Sequence, residues 1–136
     1  MASQQLLNLI IEAMKDERHD RRKYLLMMRM TNNEMIRKQI RFAYIDEGTH
    51  YRLFRNLYHQ LTGKWIDVTR PPVILAPTLI KNVKTSIDGE LDAVEMYRKI
   101  YFMLKLRSQQ DTLFRIITDE QEHATRFVYV YSMLTK

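Results

Sequence analysis

The sequence predicts an all-α fold, a four-helix bundle built from two antiparallel helix hairpins joined by a long crossover. Three observations predict it. Four long stretches repeat apolar residues at the helical period, while Gly and Pro number only three each, too few for the many turns of an all-β chain. All three Pro fall in the one stretch without that period, between the second and third helical segments. A set of charged and aromatic residues also returns at a constant offset. Glu17, Tyr24, Glu47 and His50 recur as Glu90, Tyr97, Glu120 and His123, each 73 positions on, from 17 to 90 and from 47 to 120. With 136 residues and 46% apolar content, the chain (1–136) is expected to be one domain with a core of its own.

The first helix is expected over about 3–30. Leu6, Ile10, Met14, Glu17, Arg21, Tyr24 and Met28 share one stripe, which puts Glu17 on the face that should meet the core. A charge there is costly unless it is paired or bound to metal. Glu12, Asp16 and Asp20 lie off that stripe or at its edge and read as solvated. Thr31-Asn32-Asn33-Glu34 breaks the period and supplies the cap of a second helix, and so short a link makes the two helices antiparallel neighbours.

The second helix, about 33–61, carries Ile36, Ile40, Ala43, Glu47, His50, Phe54, Leu57 and Leu61 on its stripe. Gly63 is the expected C-terminal cap. The crossover covers about 63–77 and includes Pro71, Pro72 and Pro77, which favour an extended path. Fourteen extended residues reach roughly 45 Å, the length of a helix of about 30 residues, so the third helix can start where the second did. Trp65 is expected to anchor this segment to the bundle.

The third helix, about 78–107, aligns Leu79, Val83, Ile87, Glu90, Val94, Tyr97, Tyr101 and Leu104. Gly89 beside Glu90 is a weak helix residue that can admit a close neighbour. Ser108 to Asp111 reads as the second short turn, and the fourth helix, about 111–134, aligns Leu113, Ile116, Glu120, His123, Phe127, Val130 and Leu134.

In each half, Asp-Glu-x-x-His places Glu and His one turn apart on a single helix face. Glu17, Glu47, His50, Glu90, Glu120 and His123 are therefore the predicted ligands of a dinuclear metal site. Glu47 and Glu120 are positioned to bridge, and Glu17 and Glu90 to be terminal. Four carboxylates balance two divalent ions, which makes their burial tolerable. Carboxylate and imidazole without thiolate suit iron, manganese or zinc. Asp46 and Asp119 are natural hydrogen-bond partners for the outer nitrogens of the ligand imidazoles. Tyr24 and Tyr97 are candidates to hydrogen-bond the ligand carboxylates and to take part in electron transfer. The competing reading makes the stripe Glu residues partners of Arg21 or Lys23 in buried salt bridges. His19 and His59 lie outside the repeat and read as surface residues.

The absence of Cys excludes disulfides, thiolate nucleophiles, iron–sulfur clusters and Cys-type zinc sites. The start of the chain shows no basic, apolar leader, and no apolar run is long enough for a membrane span, so a cytoplasmic protein is expected. The net charge of +6 is spread over all four segments without a basic–aromatic motif, which argues against nucleic acid. Exposed Tyr and Met on long helices favour a homodimer.

On the Glu and Glu-x-x-His pattern the chain resembles the ferritin-like di-iron carboxylate superfamily over essentially its whole length. The stretch Gly89 to Tyr97 and the Glu17-x6-Tyr24 spacing are similar to the rubrerythrin branch. This chain lacks the Cys of that branch's rubredoxin domain, and it has Ala93 where the branch carries a further Glu. The resemblance implies an oxidoreductase holding two metal ions per chain, iron first and manganese or zinc next. It would act on peroxide or dioxygen with an electron donor that the sequence does not name. Two alternatives stay open: a ferroxidase or iron-handling protein, and a metal-stabilised interaction bundle without turnover.

Overall fold

The computed structural model describes residues 2–136, and among these it contains four helices and no strand. They are α1 (Gln4–Met28), α2 (Glu34–Thr62), α3 (Leu79–Met103) and α4 (Arg107–Leu134). α1 packs on α2 and α3 on α4 as tight hairpins; α1 also meets α3 and α2 meets α4, while the diagonal pairs meet through central side chains, Tyr24 on Phe127 and Phe54 on Tyr97. The result is a square four-helix bundle.

Local chemistry fixes most of the helix ends. Ser3, Asn33 and Thr78 accept the backbone N–H of Leu6, Ile36 and Lys81, three donors that a helix start otherwise leaves unpaired. Gly63 closes α2 in the left-handed conformation at φ 76°, which a side chain would resist. The crossover then returns along the bundle. Its far end is clasped by Asn82, whose amide accepts from the Ala76 N–H and donates to the Ala76 and Thr78 carbonyls. Asn82 also lies against Met30, and Ser86 against Met27, so α3 begins beside the end of α1. Adjacent helices are therefore antiparallel throughout.

The second turn lies earlier than the sequence pattern suggests. The chain reverses at Leu104–Leu106, and Ser108 to Asp111 form the first turn of α4. Burial decides this. Leu104 tucks into the core in extended conformation, and Gln110 from the new helix donates to its carbonyl. Trp65 ties the segment to the bundle as expected, its ring stacked on His59 at 3.9 Å with Arg55 over it, although it stays 54% exposed and outside the core. The segment is held inside by Val68, which is buried.

The core forms two apolar clusters. One gathers Leu6, Ile10, Met14, Phe54, Leu57, Tyr97, Ile100, Leu113 and Ile116 near one end of the bundle. The other gathers Tyr24, Met27, Ile36, Ile40, Val83, Phe127 and Val130 near the other end. Between them the four stripes carry charge. No helix among the described residues is long and apolar enough to cross a membrane.

Candidate metal centre

All six predicted ligands meet in that layer between the clusters. Glu17, Glu47, His50, Glu90, Glu120 and His123 are each 0% exposed, one Glu from each helix and a His from α2 and α4. They form two groups of four able to hold a metal ion: Glu17, Glu47, His50 and Glu120, and Glu47, Glu90, Glu120 and His123. Within each group the ligand atoms lie within 4.8 Å of one another. Glu47 and Glu120 belong to both.

The imidazoles are held from behind. His50 Nε2 donates to Asp119 at 2.8 Å and His123 Nε2 donates to Asp46 at 2.7 Å, each bond crossing between α2 and α4. That leaves both Nδ1 atoms facing inward, His50 Nδ1 at 2.9 Å from Glu120 and His123 Nδ1 at 3.2 Å from Glu47. These contacts are close, but their directions miss hydrogen-bond geometry.

The terminal carboxylates are cross-tied in the other direction. Tyr97 of α3 donates to Glu17 of α1 at 2.7 Å, and Tyr24 of α1 donates to Glu90 of α3. One oxygen of each carboxylate is thereby occupied and the other left free. Each Tyr therefore serves the ligand of the opposite half, a reciprocity that spacing along one helix does not reveal.

Nine buried side-chain nitrogen and oxygen atoms among the described residues have no hydrogen-bond partner, and eight of them belong to these six residues. Native interiors satisfy nearly all such atoms. Six oxygens and two nitrogens converging without partners fit bound cations in kind and number, with the hard and borderline donors that Fe, Mn or Zn accept.

Charge states point the same way. Burial pushes Glu47 well above the usual carboxylate range, and the facing Glu120, Glu17 and Glu90 push further. Burial likewise raises Glu120, followed by Glu17 and Glu90. For Glu90, burial is outweighed by contacts with Glu120, His123 and Tyr24, and its pKa is lowered. Burial would lower His50 and His123, but the hydrogen bonds to Asp119 and Asp46, with the negative charge of the inward Glu residues, overcome it and push both up to about 12. A divalent cation bound there would compete with protons at Glu47, Glu120, His50 and His123.

No Arg or Lys lies within salt-bridge distance of the four Glu residues among the described residues. Arg21 is exposed, off the core stripe, and donates to the Tyr44 hydroxyl, while Lys23 donates to Thr85. The reading of the stripe Glu residues as salt-bridge partners fails. Three other expectations need correction. Asp16 and Asp20 are half-buried rather than solvated, and burial with neighbouring carboxylates raises them to about 7 and about 6. His59 is also half-buried, beneath Trp65. A Cβ added at Gly89 would meet nothing within 4 Å, so this glycine admits no close neighbour.

Among known proteins, no family model matches this chain and no curated protein matches it in sequence. A solved structure of a hypothetical protein from Pyrococcus furiosus is similar to it, with a TM-score of 0.85 and 20% identity, over 96% of this chain and 90% of that one. At that identity the likeness shows the fold and nothing about activity.

Proposed function

We propose that the chain is a ferritin-like, rubrerythrin-related dinuclear-metal oxidoreductase that acts on peroxide or dioxygen, with iron as the first candidate and manganese as the second. One observation carries the reading: the unpartnered atoms converge as two four-residue groups that share Glu47 and Glu120. Two adjacent redox-active ions, when bound, would supply two-electron exchange with an O–O bond without an extreme oxidation state at either.

The chain's own contribution is positioning and exclusion. Glu47 and Glu120 belong to both four-residue groups and would be shared by two ions, while Glu17 and Glu90 would each serve one. Asp119 and Asp46 fix the imidazole tautomers, so that Nδ1 presents its lone pair to the centre. Tyr97 and Tyr24 hold one oxygen of the terminal carboxylates and keep a proton within reach of the centre. The apolar clusters on either side bar water along the bundle axis. Ala93, where the rubrerythrin branch carries a further Glu, is packed into one of those clusters and offers no carboxylate.

Anaerobic loading with Fe(II), followed by metal analysis and separate additions of peroxide and oxygen, tests the proposal. Two irons per chain and a near-ultraviolet absorption band on oxidation are expected. Faster development with peroxide indicates a peroxidase, and faster development with oxygen an oxidase or ferroxidase. An intact fold that binds no metal would overturn the reading.

A further inference from the structure

The offset that relates the two halves inside the bundle does not carry over to the surface between α1 and α2. Between α1 and α2 lies a groove of about 470 Å³, the size of small-ligand sites, with Glu17 among its lining residues. Arg18, Arg21 and Arg22 of α1 and Arg52 of α2 line it with Tyr44 and Tyr51. None of the four guanidinium groups lies within 4.0 Å of a carboxylate among the described residues; the ion pairs of the chain are made elsewhere. Four like charges gathered in a concave surface repel one another unless something anionic joins them.

The groove is also shaped. Arg18 donates to the Val68 carbonyl at 2.9 Å and packs over Tyr51, whose hydroxyl is itself tied to the crossover through Asp67 and Val68. Arg21 lies over the Tyr44 ring and donates to its hydroxyl, and Arg52 donates to Thr49. Each of these contacts uses one face or one nitrogen of a guanidinium and leaves further N–H donors free. Gly48 makes the room: a Cβ there would stand 3.1 Å from Arg21 Nε. Moving 73 positions along the chain takes Gly48 to Gln121, and the four Arg residues to Leu91, Val94, Glu95 and Thr125. The other hairpin repeats the metal ligands and has no such groove chemistry.

We propose that the α1–α2 groove binds a small oxyanion, a carboxylate or phosphate group, through Arg18, Arg21, Arg22 and Arg52, and so seats an anionic molecule beside Glu17. Planar guanidinium forks on two helices are matched to either group, since both offer paired oxygens. The inference deepens the proposed function by giving its centre a substrate class, and it rests on that reading for its purpose though not for the binding itself.

The test is a titration of the purified chain, with its metal complement and after chelation, using inorganic phosphate and separately benzoate at fixed ionic strength. Amide and guanidinium Nε–H chemical shifts report the site. A saturable response centred on Gly48 and the groove Arg residues is expected, with a Kd of about 1 mM or tighter for one of the two anions. Whichever anion saturates first identifies the source. The double variant Arg21→Ala/Arg52→Ala should weaken that binding at least about tenfold while retaining its metal. Gly48→Gln, which fills the groove with the residue found at the matching position, should do the same. Absence of a saturable response to both anions, or unchanged affinity in the double variant, would overturn the proposal. Anion binding lost with metal intact and metal lost with anion binding intact are separate outcomes, so the two readings fail independently.

Discussion

The α1–α2 and α3–α4 hairpins give the buried centre matching parts: a terminal Glu, a shared Glu, a His, an Asp behind the opposite imidazole and a Tyr on the opposite carboxylate. Their outer faces differ where α1 meets α2: one hairpin carries an open arginine groove, while the matching positions of the other are Leu91, Glu95 and Thr125 and a buried Val94. The difference teaches where constraint lies. A pair of ions imposes the same demand on both halves, whereas a molecule approaching from outside needs only one door.

Variants can break or sharpen this comparison. The largest effect should come from the aromatic pillars that flank the centre, Phe54 against Tyr97 and Phe127 against Tyr24, each with ring centroids 5.0 Å apart. Phe54→Ala and Phe127→Ala should each cost about 3–5 kcal/mol in denaturant unfolding, and by similar amounts if the halves are equivalent inside. Next, Glu47→Ala or Glu120→Ala should weaken both ions together, whereas Glu17→Ala or Glu90→Ala should weaken one and leave about half the metal in equilibrium dialysis. Asp46→Asn and Asp119→Asn should lower affinity by about 10–100-fold, equally for the two halves.

Metal uptake should also release protons. Glu47, Glu120, His50 and His123 have raised pKa values in the metal-free fold, so affinity must rise with pH, by calorimetry in buffers of different ionisation enthalpy. The same shifts set the stability of the metal-free chain. Above the ordinary values of 4.5 for Glu and 6.5 for His, the unfolded chain sheds protons that the native state keeps. These groups therefore stabilise fully below those values and progressively less as pH rises through the native ones. Bound metal should remove that slope. The smallest effect concerns the two helix glycines. Gly89→Ala faces open space and should stabilise by about 0.5–1 kcal/mol, whereas Gly48→Ala should gain less because Arg21 must shift.

The architecture and the convergence of the six buried Glu and His residues were legible because both are written at the helical period. A carboxylate at Glu17 or Glu90, on a stripe of Met, Val and Tyr, is conspicuous in a sequence. The second turn was not legible, because polar Ser108 to Asp111 resemble a loop while the reversal is made by a buried Leu104. Asp16 and Asp20 escape a strict stripe because they sit at its edge, half-buried beside the carboxylates of the centre. The arginine groove left no local signal at all. Its residues are drawn from two helices, and only folding brings Arg52 to the α1 cluster.

The crossover joins α2 to α3. It is the only covalent link between two hairpins that otherwise meet through buried side chains, and it passes through Ile74, 89% exposed, beside Pro71 and Pro72. Such a site is where a backbone tolerates cleavage. With the proposed metal bound, a chain nicked there should remain a single particle, since each four-residue group draws on both fragments. The two pieces are then subunits in all but connectivity, and the ions are the fastener between them.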